Sequence, residues 1–309
     1  MVTPAELPDW LRRLYPFEPR SILCGPARMS YVDEGPRADE AVVLIHGNPT
    51  WSFYYRNLIR RLTEAGMRCI APDHIGMGLS DKPAGYPYRL ATHIENLERL
   101  VAALGLKKVH LVVHDWGGAI GLGWAARHPE MVGRIVILNT AAFPSPRMSF
   151  RIGVCRMPLA GEAIVRWLNA FAGPATWMAV NRKPLAAEVK RGYLFPYDSW
   201  AHRIGVARFV ADIPMRPGHP SMKTLEQVEA GLAHFQDHPV TIFWGGADFC
   251  FDDSFFKRWR EIYPRADSRY LSDAGHYVLE DATPGELAGI ATFLTGSDSL
   301  GGAVCPRGI

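Results

Sequence analysis

The stretch HLVVHDWGGAIG, residues 110–121, places an acidic residue where an apolar strand turns into a glycine-containing helix. Many hydrolases carry a serine nucleophile on a sharp strand-to-helix turn of this kind. The residue at that turn here is Asp115. A carboxylate is already ionised at neutral pH and can attack carbon without a base, whereas a serine hydroxyl must first lose its proton. The pattern therefore predicts attack by Asp115 on a saturated carbon, which forms an alkyl ester, and it disfavours amide hydrolysis.

Two further residues complete a catalytic set. Asp248 follows a late apolar strand in FWGGADF, and His276 lies after the last predicted strand in SDAGHYVLED. The chain order nucleophile, acid, histidine is the order expected for a nucleophile on a strand-to-helix turn. Taken singly, the three residues have structural explanations as a helix N-cap, a turn aspartate and a loop histidine. Together they predict that His276, oriented by Asp248, activates a water that cleaves the ester.

The segment HGNPTW, residues 46–51, supplies a candidate anion site together with Trp116. In this arrangement, the loop after the third strand and the residue after the nucleophile donate backbone N–H groups to an oxyanion. Asn48 and Trp116 occupy those positions, and each also carries a side-chain N–H. We expect the two side chains to hold a departing halide or carboxylate. The structural alternatives are a turn role for Asn48 and simple packing for Trp116.

The substrate is expected to be small and apolar. Aromatic residues are frequent after residue 142, and four of them are candidate walls of a pocket: Phe143, Trp167, Phe171 and Trp177. A ligand pocket is lined mainly by such side chains, although the interior of a helical segment explains them equally well. The stretch GLGWAA, residues 121–126, matches a degenerate dinucleotide fingerprint but lies inside a predicted helix. We interpret it as helix packing and expect neither a cofactor nor a metal site.

The elements that position these residues are short apolar runs alternating with longer amphipathic ones. The runs at 41–45, 68–72, 109–114, 134–139 and 240–244 predict buried strands, and 57–66, 93–105 and 119–130 have helical spacing. Residues 21–35 resemble an edge hairpin. The alternation predicts a mostly parallel sheet with crossover helices.

The pattern breaks between residues 142 and 220, where Pro, Trp, Phe and Arg mix with short helical pieces. We interpret this stretch as an inserted helical cap. The predicted domains are a core of residues 14–141 and 221–295, the cap at 142–220, and a loose C-terminal tail at 296–309 whose composition is typical of disorder.

Composition limits the possible partners and location. The net charge of +3 comes from 34 basic and 31 acidic residues without a basic block, which argues against nucleic-acid binding. The five cysteines form no C-x-x-C pair, and this favours a reducing cytoplasm. No apolar stretch has signal-peptide length or reaches the about 18 residues of a membrane span. The protein is expected to be neither secreted nor membrane-spanning.

At these residues the sequence resembles a known family over about residues 14–294. The segments HGNPTWSF, PDHIGMGLSDKP, VHDWGG and AGHYVLED are similar to the haloalkane dehalogenase branch of the α/β-hydrolase superfamily. The later segments LNTAAFP, LNAFAGPATWM, YDSWAHRIGVARFVADIP and GADFCFDDSFF resemble more closely the β-lactone decarboxylases of bacterial long-chain olefin biosynthesis. The resemblance implies the α/β-hydrolase fold, with an eight-stranded, mostly parallel sheet, flanking helices and an inserted helical cap.

The resemblance also implies roles and a reaction. Asp115 would be the nucleophile, Asp248 and His276 the charge-orienting pair, and Asn48 with Trp116 the anion-holding pair. The implied substrate is a cis-3,4-dialkyl β-lactone (oxetan-2-one), and the products are a cis-alkene and carbon dioxide. Attack at the β-carbon and attack at the lactone carbonyl both remain open. The family implies a thiolase-like condensing enzyme and a β-lactone synthetase as partners.

Three alternatives remain at this point. A haloalkane dehalogenase would use the same aspartate and hydrolyse the alkyl ester. An epoxide hydrolase would need an acid to protonate the epoxide, for which Tyr193 and Tyr197 are candidates, but Asn48 stands where that group usually has an aromatic residue. A non-catalytic ligand receptor on the same scaffold would not need Asp115.

Overall fold

A computed structural model describes residues 7–296, so the predicted tail at 296–309 lies, except for Gly296, outside the described residues. Within 7–296, eight strands form one sheet in the order β1-β2-β4-β3-β5-β6-β7-β8. The strands are β1 (Arg20–Cys24), β2 (Ala27–Glu34), β3 (Glu40–Ile45), β4 (Cys69–Pro72), β5 (Lys108–Asp115), β6 (Val132–Thr140), β7 (Val240–Gly245) and β8 (Asp267–Leu271). Strand β2 is antiparallel to β1 and β4, and the other neighbours are parallel. The predicted eight-stranded, mostly parallel sheet is confirmed.

The same range contains thirteen α-helices. They are α1 (Asp9–Leu14), α2 (Arg56–Glu64), α3 (Leu90–Ala103), α4 (Trp116–Ala125), α5 (Phe150–Cys155), α6 (Ala160–Trp167), α7 (Ala172–Met178), α8 (Ala187–Leu194), α9 (Ile204–Ala211), α10 (Met222–Gly231), α11 (Asp253–Ile262), α12 (Val278–Asp281) and α13 (Pro284–Thr295). None of the described helices has both the length and the apolar composition needed to cross a bilayer.

The central strands are buried on both faces, which explains their unbroken apolar runs. In β3, Val42 and Leu44 join the core that contains α2 and α13, whereas Val43 and Ile45 join the core that contains α3, α4, α10 and α11. Successive side chains of a strand point to opposite faces of the sheet. Both faces of β3 therefore have to be apolar.

Helix α4 approaches the sheet closely at Gly121 and helix α3 closely at Gly123. A Cβ on Gly121 would lie 2.6 Å from Ile45 Cδ1 of β3, and one on Gly123 would lie 2.5 Å from Ile94 Cδ1 of α3. Both glycines are thus needed for close packing. The interpretation of GLGWAA as a helix-packing segment is confirmed.

Helices α5 to α9 follow one another between β6 and α10 and lie over the loops at the carboxyl ends of the strands. The Val206 carbonyl accepts a hydrogen bond from Asn48, which follows β3, and the Ala179 carbonyl accepts one from the Tyr277 amide, after β8. These helices correspond in position to the predicted cap at 142–220. The division into a core and a cap domain at those boundaries stays a prediction.

Candidate active site

Asp115 occupies a strained turn between β5 and α4. Its φ of 51° and ψ of −125° lie in a region that residues other than glycine rarely adopt. The surrounding chain approaches this turn so closely that only glycine fits at residues 117 and 118. A Cβ on Gly117 would lie 1.9 Å from the Ile45 carbonyl oxygen, and one on Gly118 would lie 2.0 Å from Thr140 Oγ1. The backbone therefore fixes where the Asp115 carboxylate points.

The carboxylate of Asp115 is held by backbone donors. The Asn48 amide donates to Oδ1 at 2.6 Å, and the Trp116 amide lies beside the carboxylate and favours its charged form. The other oxygen, Oδ2, lies 3.9 Å from His276 Nε2. Burial raises the pKa of Asp115 above its ordinary value, although His276 and the two amides offset part of the rise.

The His276 ring is held at Nδ1, the nitrogen that does not face Asp115. Its Nδ1–H donates to Asp248 Oδ2 at 2.8 Å, and Asp248 Oδ1 accepts the Cys250 amide at 2.6 Å. The Phe251 ring stacks on the imidazole with centroids 5.8 Å apart. Burial alone would lower the pKa of His276, but the charge and hydrogen bond of Asp248, with the charge of Asp115, outweigh burial and raise it.

The anion-holding role of the Asn48 and Trp116 side chains stays a prediction, and the structure shows the contacts that each side chain makes. Asn48 Nδ2 donates to the Val206 carbonyl at 3.1 Å, and Asn48 Oδ1 is buried with no hydrogen-bond partner among residues 7–296. The Trp116 indole packs edge-on against Phe209 with centroids 5.4 Å apart. The two residues border different cavities. Their backbone N–H groups, rather than their side chains, meet at the carboxylate.

Two cavities border the reacting groups. The first is bordered by Asp115, Trp116 and Phe143, and the second by Asn48, His276, Phe171 and Trp177. Ile152 and Cys250 line both cavities, so the two spaces adjoin each other, with Asp115 in the wall of one and His276 in the wall of the other.

Of the four aromatic residues predicted as pocket walls, Trp167 alone borders neither of these two cavities. It ends α6, has 68% of its surface exposed, and packs against the Trp200 ring with centroids 4.8 Å apart. The buried face of α6 carries Val165 and Arg166 instead. A wall role for Trp167 gains no support from these two cavities and stays a prediction.

Cys250 is a residue that the sequence analysis missed. Its thiol, the Asp248 carboxylate and the His276 ring offer ligand atoms within 4.8 Å of one another. Burial, with the charges of Asp248 and Asp115, raises the pKa of Cys250 well above its ordinary value. The thiol is therefore neutral at pH 7, and the carboxylate is already committed to the imidazole and to the Cys250 amide. The one available signal was its place two residues after an aspartate at a strand end.

The tyrosines considered as epoxide acids are engaged elsewhere. The Tyr193 hydroxyl donates to Glu280, and the Tyr197 hydroxyl donates to the Thr50 carbonyl at 3.4 Å. Neither residue borders the two cavities. The arrangement gives no support to epoxide protonation by either residue.

Comparison with known proteins adds independent information. Residues 40–167 match the family profile of the alpha/beta hydrolase fold. The chain is 43% identical over 302 residues to a cis-3-alkyl-4-alkyloxetan-2-one decarboxylase of Shewanella oneidensis, covering 96% of this chain and 94% of the relative. It is 33% identical over 270 residues to a haloalkane dehalogenase of Mycolicibacterium paratuberculosis, covering 85% and 86%.

A solved structure extends the comparison to the fold. The haloalkane dehalogenase DbeA of Bradyrhizobium elkani superposes with a TM-score of 0.83 at 24% identity, covering 92% of this chain and 100% of that one. At this identity the similarity establishes the fold alone. The α/β-hydrolase fold predicted from the sequence is confirmed.

Proposed function

Because the chain belongs to the α/β-hydrolase-fold family of the cis-3-alkyl-4-alkyloxetan-2-one decarboxylases, we propose that it converts such β-lactones into cis-alkenes and carbon dioxide. The identity to the decarboxylase of Shewanella oneidensis exceeds that to the mycobacterial dehalogenase, 43% against 33%. We further propose that the enzyme acts in long-chain olefin biosynthesis, beside a condensing enzyme and a β-lactone synthetase.

One observation indicates which carbon of the lactone Asp115 attacks. The backbone N–H of Asn48, which would otherwise stabilise a carbonyl oxyanion, already donates to the Asp115 carboxylate, and the N–H of Trp116 lies beside the same carboxylate and favours its charge. A lactone carbonyl attacked by Asp115 would thus lack those two donors. Attack at the sp³ β-carbon, C4, forms no tetrahedral intermediate at the carbonyl carbon. It therefore needs no donors for a carbonyl oxyanion. This arrangement favours the β-carbon route.

In the first step, Asp115 Oδ2 attacks C4 from the side opposite the ring oxygen. The C4–O bond breaks with its electron pair on oxygen, which leaves a carboxylate on C3 and an alkyl ester at Asp115. His276, as the imidazolium, faces Oδ2 from 3.9 Å and can donate an Nε2–H hydrogen bond to the carboxylate as it forms. Asp248 holds the opposite nitrogen at 2.8 Å and stabilises the cation.

In the second step, the bond between C3 and the carboxylate breaks, and its electron pair forms the C3–C4 double bond. The C4–O bond to Asp115 breaks at the same time, so the free carboxylate returns and carbon dioxide leaves. Inversion in the first step followed by anti elimination converts a cis lactone into a cis alkene. No water is consumed, and His276 ends in its starting protonation state.

The main competing function is haloalkane hydrolysis. The same carboxylate can displace a halide, and the 3.9 Å gap to His276 leaves a position from which the imidazole can activate a water against the ester. The second alternative, an epoxide hydrolase, loses its candidate acids because Tyr193 and Tyr197 bond elsewhere.

Gas chromatography decides between these functions. Purified wild type and Asp115→Ala are each incubated with a synthetic cis-dialkyl β-lactone and with 1-bromoalkanes of similar length. We expect the wild type to form cis-alkene from the lactone and the variant to form none above the rate of spontaneous decay. Brisk release of bromide by the wild type, with the lactone left intact, would contradict the proposal.

A further inference from the structure

The two cavities beside Asp115 and His276 adjoin each other, and they are called here the first and the second arm. The first arm includes Asp115 in its wall, the second includes His276 and Asn48, and Ile152 with Cys250 belong to both. The junction of the arms, marked by the two shared residues, lies next to His276, whose ring nitrogen is within 4.8 Å of the Cys250 thiol.

Each arm is large enough for a chain and has mainly apolar walls. The arms enclose about 130 and 220 Å³, many times the roughly 10–15 Å³ that one water molecule needs. The walls of the first arm include Leu90, Phe143, Ile213, Met215, Leu225 and Phe255. Those of the second include Phe171, Pro174, Ala175, Trp177, Met178 and Phe249. Such walls suit alkyl groups and offer few partners for polar ones.

The walls come from different parts of the chain. The first arm is closed by Ile213 and Met215, after α9, and by Leu225 of α10. The second is closed by α7, through residues such as Ala175 and Met178. The two arms can therefore be altered separately.

The geometry points to one alkyl chain of the substrate in each arm, with the four-membered ring at the junction. This inference rests on the proposed function and deepens it, because it assigns a binding site to each of the two chains. A cis-3,4-dialkyl lactone carries its chains on neighbouring carbons, so they diverge from the bond that becomes the alkene. A haloalkane with one chain would fill one arm and leave the other without an apolar occupant.

Two methionines provide matched test positions. Met215 borders only the first arm and Met178 only the second, and both are half-buried. Met215→Trp and Met178→Trp each place a bulky ring in one arm without touching Asp115, Asp248 or His276. Met157, which is 44% exposed and borders neither arm, gives the control Met157→Trp.

The substrates are three cis lactones: 3,4-dimethyl, 3-nonyl-4-methyl and 3-methyl-4-nonyl. We expect each arm variant to lower kcat/KM by about tenfold or more for one of the two nonyl lactones. The affected nonyl lactone should differ between the two variants. Turnover of the dimethyl lactone should fall less than that of the affected nonyl lactone, and conversion of the other nonyl lactone shows that each variant is folded. Met157→Trp should behave as wild type with all three.

The remaining outcomes overturn the inference. If both arm variants impair the same nonyl lactone, both nonyl lactones equally, or neither, the chains do not occupy separate arms. If the wild-type enzyme still converts the dimethyl lactone in those cases, the proposed function stands. A wild type that leaves all three lactones unchanged would refute the proposed function, and the assignment of the arms would fall with it.

Discussion

His276 Nε2 lies 3.9 Å from Asp115 Oδ2, beyond the range of a hydrogen bond. The nucleophile and the imidazole thus face each other across a gap instead of neutralising each other through direct contact. Because Asp248 and the Asn48 amide hold the two groups from their far sides, an atom placed beside the pair can contact both.

The route of attack can be read from the fate of the lactone ring oxygen. If Asp115 attacks C4, both lactone oxygens leave in carbon dioxide, and a ring labelled with oxygen-18 gives singly labelled carbon dioxide. If Asp115 attacks the carbonyl, the ring oxygen becomes a hydroxyl group on C4 and leaves as water, while one oxygen of Asp115 enters carbon dioxide and a solvent water replaces it in the Asp115 carboxylate. We expect label in carbon dioxide, measured by mass spectrometry of the headspace; label recovered in water would refute attack at C4.

Replacing the nucleophile should abolish turnover without unfolding the protein. Asp115→Asn keeps the shape of the side chain and an oxygen that can accept the Asn48 amide, but it removes the attacking charge. We expect kcat to fall by about 10⁴-fold or more, the scale seen when other enzymes lose their nucleophile. Intact-mass measurement excludes reversion by deamidation, and the exposed Asp237→Asn is the matched control.

The pH dependence follows from opposite requirements on two coupled groups. Asp115 must be ionised, and burial raises its pKa, so activity should fall on acidification at a higher pH than an ordinary carboxyl would give. His276 must be protonated in our mechanism, and Asp248 and Asp115 raise its pKa against burial, so activity should fall again as the pH rises through that value.

Asp248→Asn tests the origin of the alkaline limb. The variant removes the largest influence that keeps the imidazole charged, so the pKa of His276 should fall and the alkaline limb should move to lower pH. Rate–pH profiles and imidazole ¹⁵N chemical shifts measure the two effects separately. An alkaline limb that stays in place while the ¹⁵N titration moves would mean that His276 does not act as a cation.

The turn at Asp115 should be intolerant of even a methyl group. In Gly117→Ala the new carbon would lie 1.9 Å from the Ile45 carbonyl oxygen, which belongs to the central strand β3 and has little freedom to move. We expect a loss of about 2–3 kcal/mol in the free energy of unfolding, measured with urea. Gly85→Ala, where a Cβ meets nothing within 4 Å, should change it by less than about 0.5 kcal/mol. Equal stability of the two variants would contradict the steric explanation.

The strands and the turn at Asp115 could be predicted because their signals are local. Both faces of β3 are covered, so its residues are apolar throughout, and Asp115 stands at a visible change from an apolar strand to a glycine-containing helix. The chain order of Asp115, Asp248 and His276 then placed the three residues at one edge of the sheet.

The details that could not be predicted depend on contacts between distant parts of the chain. The Asn48 side chain donates to Val206, 158 residues away, and no pattern near Asn48 indicates that partner. Helix α6 has only eight residues, too few for a pattern to show which way Trp167 faces. Cys250 was missed because its importance comes from lying between two cavities.

The separation between the Asp115 turn and the helices α5 to α9 bears on how such proteins acquire different activities. Asp115, Asp248 and His276 sit on loops anchored by the sheet, whereas much of the second arm's wall belongs to α7. Mutations in that stretch can reshape the space offered to a substrate while the reacting distances stay fixed. Relatives that share the same three residues can therefore diverge in substrate, and an assignment made from the triad alone would group enzymes that act on different molecules.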